Sequence, residues 1–245
     1  MPIWVDKTVL AVTGTRVNPV QQSAANHRGQ LTYNFSQCLD PVKAQITIHE
    51  DTSGGVCESL SAFWIKHHAD GGSLWNWLMP AGVLDEQHLF HVMTLQQAGT
   101  LDNQDRITEA WLGTQNIFPT SQNVFGGAFP NGRGGNTIRG IHNPRRAQGQ
   151  SGVFSPSALA REIILDQTGG AGCYKKIGLD GTFAGHAMAA WVAQDITFFD
   201  PNFGEFWFES RNAFFNWFTQ SFWYNSMYSV GLSGGYEVRS YAHRT

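Results

Sequence analysis

The pattern of apolar and polar positions changes character along the chain. Over 56–68 apolar residues recur at helical spacing, with Leu60, Phe63, Trp64 and His67 on one stripe, which predicts a helix. Thr52-Ser53-Gly54-Gly55 interrupts the chain just before it. Residues 84–97 and 103–112 read as further helices, parted by Gly99-Thr100. Residues 155–166 read as another, with Ser155 as N-cap and Pro156 in the first helical position. Beyond Gly172 the signal becomes β: 173–179, 183–193, 196–200, 205–208 and 236–243 read as strands, with an aromatic helix over 211–222 among them. The alternating run 42–49 (VKAQITIH) also reads as a short strand. Helices first and an antiparallel sheet afterwards predict an α+β domain. Residues 1–40 mix short apolar pieces with Asn, Gln, Gly and Ser. They read as an N-terminal arm or extension, of the kind used for secretion or processing, ahead of a domain at 41–245. The Gly-, Asn- and Gln-rich stretch 113–152, with Pro119, Pro130 and Pro144, reads as a long functional loop or an insertion without a role.

Composition narrows the function classes. The 245 residues are 42% hydrophobic and only 14% charged, with a net charge of −3 and no Lys/Arg cluster, which argues against an electrostatic nucleic-acid groove. Cys38, Cys57 and Cys173 leave one thiol over in any pairing and contain no C-x-x-C, so neither a disulfide framework nor a structural zinc site is expected. Asp6 and Lys7 interrupt the first apolar run, a poor Sec signal, and no run is long enough for a transmembrane helix.

Three residues carry candidate chemistry. Cys57 opens a helix after Gly54-Gly55, where unsatisfied N–H groups and the positive end of the helix dipole favour a thiolate nucleophile. His186 lies in Gly185-His186-Ala187-Met188, a run apolar on both faces, as in a central strand. Asp200 ends Ile196-Thr197-Phe198-Phe199-Asp200, and Pro201 stops the ladder. Taken singly, each has a plain alternative, such as a buried thiol or a satisfied core histidine. Together they form a pattern. A hairpin turn centred on Ala193 puts His186 opposite Asp200, and one centred on Gln194 puts them diagonal on one face. A two-residue turn at 193–194 puts them on opposite faces. Nucleophile, base and orienter in the order Cys, His, Asp, with Cys on a helix and the others on strands, is the papain-like arrangement.

The surrounding residues carry a resemblance. Gly55-Val56-Cys57-Glu58-Ser59-Leu60-Ser61-Ala62-Phe63-Trp64-Ile65 resembles the nucleophile motif of the YopT/AvrPphB-type cysteine proteases. Gly185-His186-Ala187-Met188-Ala189 is similar to their histidine motif, and Phe198-Phe199-Asp200-Pro201-Asn202-Phe203-Gly204-Glu205-Phe206 to their aspartate motif. The resemblance implies a papain-like fold, with the nucleophile helix packed on a C-terminal antiparallel sheet. It also implies a thiol endopeptidase that a bacterium delivers into the host cell, with a host protein as substrate, a small GTPase or a kinase among relatives. It carries over Cys57 as nucleophile, His186 as base and Asp200 as orienter, with no metal or cofactor. For the oxyanion hole the Cys57 N–H is one donor; Asp51, six residues earlier, or a nearby N–H is the other candidate. A Cys-His-Asp transglutaminase or glutamine deamidase shares the acyl-enzyme, and an inactive binding module is the reading from another class.

Other features have weaker claims. His88 and His91 with Glu86 have zinc-like spacing but no evident third ligand. His67-His68 reads as a helix C-terminus that favours cations. Phe214, Phe215, Trp217, Phe218 and Phe222 read as a core stripe. The alternative, a lipid or substrate surface, has no basic flank to support it. Pro144-Arg145-Arg146 reads as solvated loop, with a processing site or an acidic-substrate contact as the alternative.

Overall fold

A computed structural model describes residues 3–100, 104–120, 137–140, 155–166, 171–181, 185–232 and 235–243. The helices are α1 (Ile3–Gly14), α2 (Val17–Ser23), α3 (Val42–Ile46), α4 (Cys57–Ala69), α5 (Leu74–Leu78), α6 (Glu86–Thr100), α7 (Gln104–Thr114) and α8 (Pro156–Ile164). Then come α9 (Arg211–Trp217), a π-helical turn (Phe218–Phe222), α10 (Trp223–Asn225) and α11 (Tyr228–Gly231). The strands are β1 (Gly29–Tyr33), β2 (Ile117–Pro119), β3 (Thr137–Gly140), β4 (Cys173–Asp180), β5 (Gly185–Val192), β6 (Ile196–Asp200), β7 (Gly204–Phe208) and β8 (Gly235–His243). They form one sheet in the order β1-β7-β6-β5-β4-β8-β2, with β3 also on β8 and every pairing antiparallel. This is the α+β architecture expected from the sequence.

The strand period of two divides the core between the two faces of the sheet. Met188, Ala190 and Val192 of β5, with Ile196 and Phe198 of β6, pack with α8, α9 and the π turn. Ala189 of β5 and Phe199 of β6 pack with α4, α5 and α6. The aromatic stripe is core: Phe214, Trp217, Phe218 and Phe222 are fully buried, and the Phe198 ring meets Phe218 and Phe222 edge-on. The lipid-facing reading of this stripe is therefore set aside.

Several expectations change. Residues 42–46 form α3 rather than a strand. Val42 and Ile46 lie four apart and are both buried, whereas Ile48, which strand alternation would place beside Ile46, is exposed. Residues 1–40 do not stand apart as an arm among the described residues. Val17, Val20 and Ala24 enter one core, Phe35 and Cys38 the other, and β1 becomes an edge strand on β7. Within 113–152, Ile117–Pro119 and Thr137–Gly140 are strands on β8, while 121–136 and 141–152, Pro144-Arg145-Arg146 among them, lie outside the described residues. Ser155 caps α8, accepting from the Ala158 N–H, as its sequence signal predicts.

Gly204 makes the closure of β1 onto β7 possible. Its φ is +104°, and a Cβ there would lie 2.5 Å from the Tyr33 carbonyl oxygen. Gly204→Ala is expected to destabilise the protein by about 2–4 kcal/mol, from a strained backbone plus a clash with an atom that cannot move away. A urea titration reads this as a lower midpoint; an unchanged midpoint would mean that β1 shifts freely.

Candidate active site

α4 begins at Cys57 because Gly55, with φ +115°, turns the chain into it. Its first turn is held by side chains from elsewhere. Gln37 Oε1 accepts the Val56 N–H at 2.8 Å, and Gln96 Oε1 accepts the Ser59 N–H at 3.2 Å. The Cys57 and Glu58 N–H groups between them have no protein acceptor among the described residues. Cys57 is half-buried, whereas Cys38 and Cys173 are 1% and 0% exposed. Burial, reinforced by nearby Asp200, pushes the Cys38 thiol well above its ordinary value, so it keeps its proton.

α4 packs against β5, which brings Cys57 to the strand that carries His186. The β5–β6 register, Val192 with Ile196 through Ala189 with Phe199, centres the hairpin on Gln194. That is the diagonal alternative, with His186 and Asp200 on one face. His186 Nε2 lies 2.9 Å from Asp200 Oδ1, and Cys57 is close enough to raise the ring's hold on its proton. Burial alone would strip the imidazolium of its proton. The Asp200 charge and hydrogen bond, then Cys57, outweigh it and hold His186 up to about 10. Asp200 is fully buried and accepts two further donors, the Asn202 N–H at 2.8 Å and the Tyr228 hydroxyl, nearest at Oδ2, 3.0 Å away. With Asp200 accepting, Nε2 is the donor to the carboxylate, and Nδ1 is the nitrogen left to exchange a proton. Asp51 sits exposed on a 3-10 turn, Glu50–Thr52.

Two further carboxylates fasten this region. Glu205 of β7 takes the indole N–H of Trp64 at 2.7 Å and of Trp75 at 2.9 Å on Oε2, and the Thr32 hydroxyl at 2.8 Å on Oε1. One side chain thus pins α4, α5 and β1 to the sheet. Glu205→Leu is expected to lower stability by about 3 kcal/mol, because Trp64 and Trp75 keep buried donors with no acceptor; Glu205→Gln, which retains an acceptor oxygen, should recover most of it in the same urea titration. Glu58, beside Cys57, pairs with Lys176 of β4, and Thr108 of α7 bonds both. Neither carboxylate has a sequence signal of its own beyond its place in a motif, since its partners lie far along the chain.

The other histidines do different work. His67 stacks near Trp77 and Phe63, and burial, then Lys66, lowers it to about 4; burial also lowers His68, which bonds the Tyr174 hydroxyl at 2.9 Å. Both are neutral at pH 7, which corrects the cationic C-terminus expected from their position. His88 stacks on Trp77 and bonds its carbonyl at 2.7 Å. No group of three His, Cys, Asp or Glu side chains among the described residues is placed to hold a metal. No helix among them is long and apolar enough to cross a membrane.

Comparison with known proteins shows the family and the fold. The Peptidase_C58 family, described as Yersinia/Haemophilus virulence surface antigen, matches residues 21–241. The chain is 37% identical over 232 residues to the cysteine protease yopT1 of Yersinia enterocolitica, covering 91% of this chain and 67% of that protein. It is 36% identical over 237 residues to the cysteine protease YopT of Yersinia pestis, covering 93% and 68%. The crystal structure of the Pseudomonas avirulence protein AvrPphB shares the fold, with a TM-score of 0.50 at 15% identity over 79% of this chain and 95% of that one. A half-buried cysteine at a helix start, a buried His–Asp pair against it, the papain-like fold and these relatives converge: the chain belongs to the Peptidase_C58 family and is a cysteine-type peptidase.

Proposed function

We propose that this peptidase cleaves a host protein through Cys57, His186 and Asp200, and that a bacterium delivers it into the host cell as a virulence effector. The observation that carries the reading is His186, bonded to the buried Asp200 through Nε2 and close enough to Cys57 for each to bear on the other's charge. The Cys57 thiolate attacks the peptide carbonyl, forming the S–C bond. The Cys57 N–H, which has no acceptor among the described residues, holds the developing oxyanion. We assign the second donor to the neighbouring Glu58 N–H rather than to Asp51, because a carboxylate accepts and does not donate. His186 gives its proton to the leaving amine as the C–N bond breaks. It then takes a proton from water, which attacks the acyl-enzyme and releases the thiolate. Asp200 keeps the ring in the required tautomer and orientation. The small GTPases and kinases suggested by the sequence resemblance remain the proposed substrate classes.

Alkylation with iodoacetamide, mapped by mass spectrometry, tests the assignment. Cys57 is expected to label at least about tenfold faster than Cys38 and Cys173, with the advantage lost in His186→Ala and reduced in Asp200→Ala. Equal, slow labelling of all three thiols would overturn the triad. The raised His186 sets a pH dependence. Iodoacetate, an anion drawn by the imidazolium, is expected to react with Cys57 until pH rises through about 10, where the ring loses its proton and the rate falls. A fall near the ordinary histidine range of about 6.5 would show that the ring proton is not held by Asp200 and Cys57.

A further inference from the structure

We propose that Gln37, Asn202 and Tyr228 are positioning residues, a directed chain of hydrogen bonds that ties the start of the nucleophile helix to the carboxylate orienting His186. The inference rests on the triad reading above and adds three side chains to it. All three are buried, at 2%, 6% and 4% exposure, and they come from three separate parts of the chain.

The direction of every link follows from its ends. The Val56 N–H can only donate, so the amide end of Gln37 that meets it at 2.8 Å is Oε1. Gln37 Nε2 therefore faces Asn202, whose Oδ1 accepts at 2.8 Å. Asn202 Nδ2 is then left to donate to the Tyr228 hydroxyl oxygen at 2.8 Å. The Tyr228 proton has one way to go, to Asp200 Oδ2 at 3.0 Å. The far end agrees, because Asp200 serves as acceptor for His186. Side contacts fit the same sense. The Cys38 thiol, which keeps its proton, lies 3.1 Å from Asn202 Oδ1, and burial pushes the Tyr228 phenol well above its ordinary value, so it too stays a donor. The backbone is tied in parallel, with the Gln37 N–H donating to the Pro201 carbonyl at 2.8 Å. Gly55 makes room: a Cβ there would lie 3.2 Å from Gln37 Nε2. A displacement of Cys57 relative to the His186–Asp200 pair must therefore break at least one link of this chain.

The chain predicts an effect at a distance that packing does not. The charged or titratable groups that face His186 are Asp200 of β6, Cys57 of α4 and the Tyr228 hydroxyl of α11, across a ring contact of 5.1 Å. Tyr228→Phe removes one donor from Asp200, which then holds the imidazolium proton more strongly. The alkaline limb of the iodoacetate profile at Cys57 is expected to move up by about half a pH unit to one. Gln37→Glu cannot donate to Asn202, so Asn202 turns its Nδ2 to residue 37 and its Oδ1 to Tyr228. The Tyr228 proton then leaves Asp200, and the limb is again expected to rise. Gln37→Leu leaves Tyr228 donating to Asp200. It is expected to lower the melting temperature and the alkylation rate while the limb stays in place.

The charge introduced by Gln37→Glu is separated from the reversal by combining it with Tyr228→Phe. The double variant is expected to show the Tyr228→Phe shift and no more. Additive shifts would assign the effect to the new charge and overturn the directed chain. A limb fixed at the wild-type position in Tyr228→Phe, with only the melting temperature lowered, would overturn it as well. Loss of selective Cys57 alkylation in the wild type is a different result, and it overturns the triad reading itself.

Discussion

Cys57→Ala is expected to abolish peptide-bond cleavage, and His186→Ala to reduce it by about a thousandfold or more, since groups acting as one unit fail together. The measurement is the set of new N-termini that appear when the protein is added to host-cell lysate. The wild type should generate them and the two variants should not; Cys57→Ala should melt near the wild-type temperature, whereas His186→Ala, which strips the buried Asp200 of its counter-charge, should melt lower while still folding. Cys57 is only half-buried and Ala leaves little cavity. Losing the His186 ring frees Asp200 from one of three donors while the Asn202 N–H and the Tyr228 hydroxyl remain. A mass gain of about one dalton at glutamine, without new termini, would place the acyl-enzyme in a deamidase instead. Identical lysates with wild type and Cys57→Ala would identify a binding module.

Lys176→Met is expected to cost about 3–5 kcal/mol, the size associated with stripping one partner from a buried ion pair. Lys176 and Glu58 are 4% and 8% exposed, so neither charge has water to fall back on. Without Lys176, Glu58 keeps Thr108 but loses its counter-charge, one residue from the nucleophile. For a chain of this length the loss corresponds to a fall of about 10 °C in melting temperature. The intact pair adds little by itself, because removing both charges from water is costly. The double variant Lys176→Met, Glu58→Leu should therefore recover most of the stability. If the single variant melts like the wild type, water reaches Glu58 and the pair is not a closed contact. If the double variant is as unstable as the single, the pair contributes specific geometry that apolar side chains do not replace.

The site was legible in the sequence to different depths. Cys57 could be placed at a helix start because Gly54-Gly55 and the apolar stripe behind it are local signals. His186 and Asp200 could be placed on one face because a hairpin's register depends on only a few turn residues, and the observed centre at Gln194 was one of two turns that allow it. The alternating run at 42–49 misled because eight residues do not separate a period of two from a spacing of four, and Val42 and Ile46 satisfy the latter. The paired histidines of α4 misled because position in a helix says nothing of burial, which keeps His67 and His68 neutral.

What the sequence by itself determined was the longer helices from α4 onward and the five strands β4 to β8, the apolar stripes that build both cores, and the three residues proposed as nucleophile, base and orienter. Periodicity, capping and hairpin register act over a few residues, so a single stretch of chain carries each of them. What only the tertiary structure decided was the company those residues keep. Residues 1–40 look unconvincing as structure because their partners stand far along the chain: β1 needs β7, and Gln37 needs both Val56 and Asn202. The same holds for Glu205 beneath two tryptophans, Lys176 against Glu58, and Tyr228 on Asp200. A buried polar group must find its partner wherever the fold brings one within about 3 Å, and no local pattern records that choice.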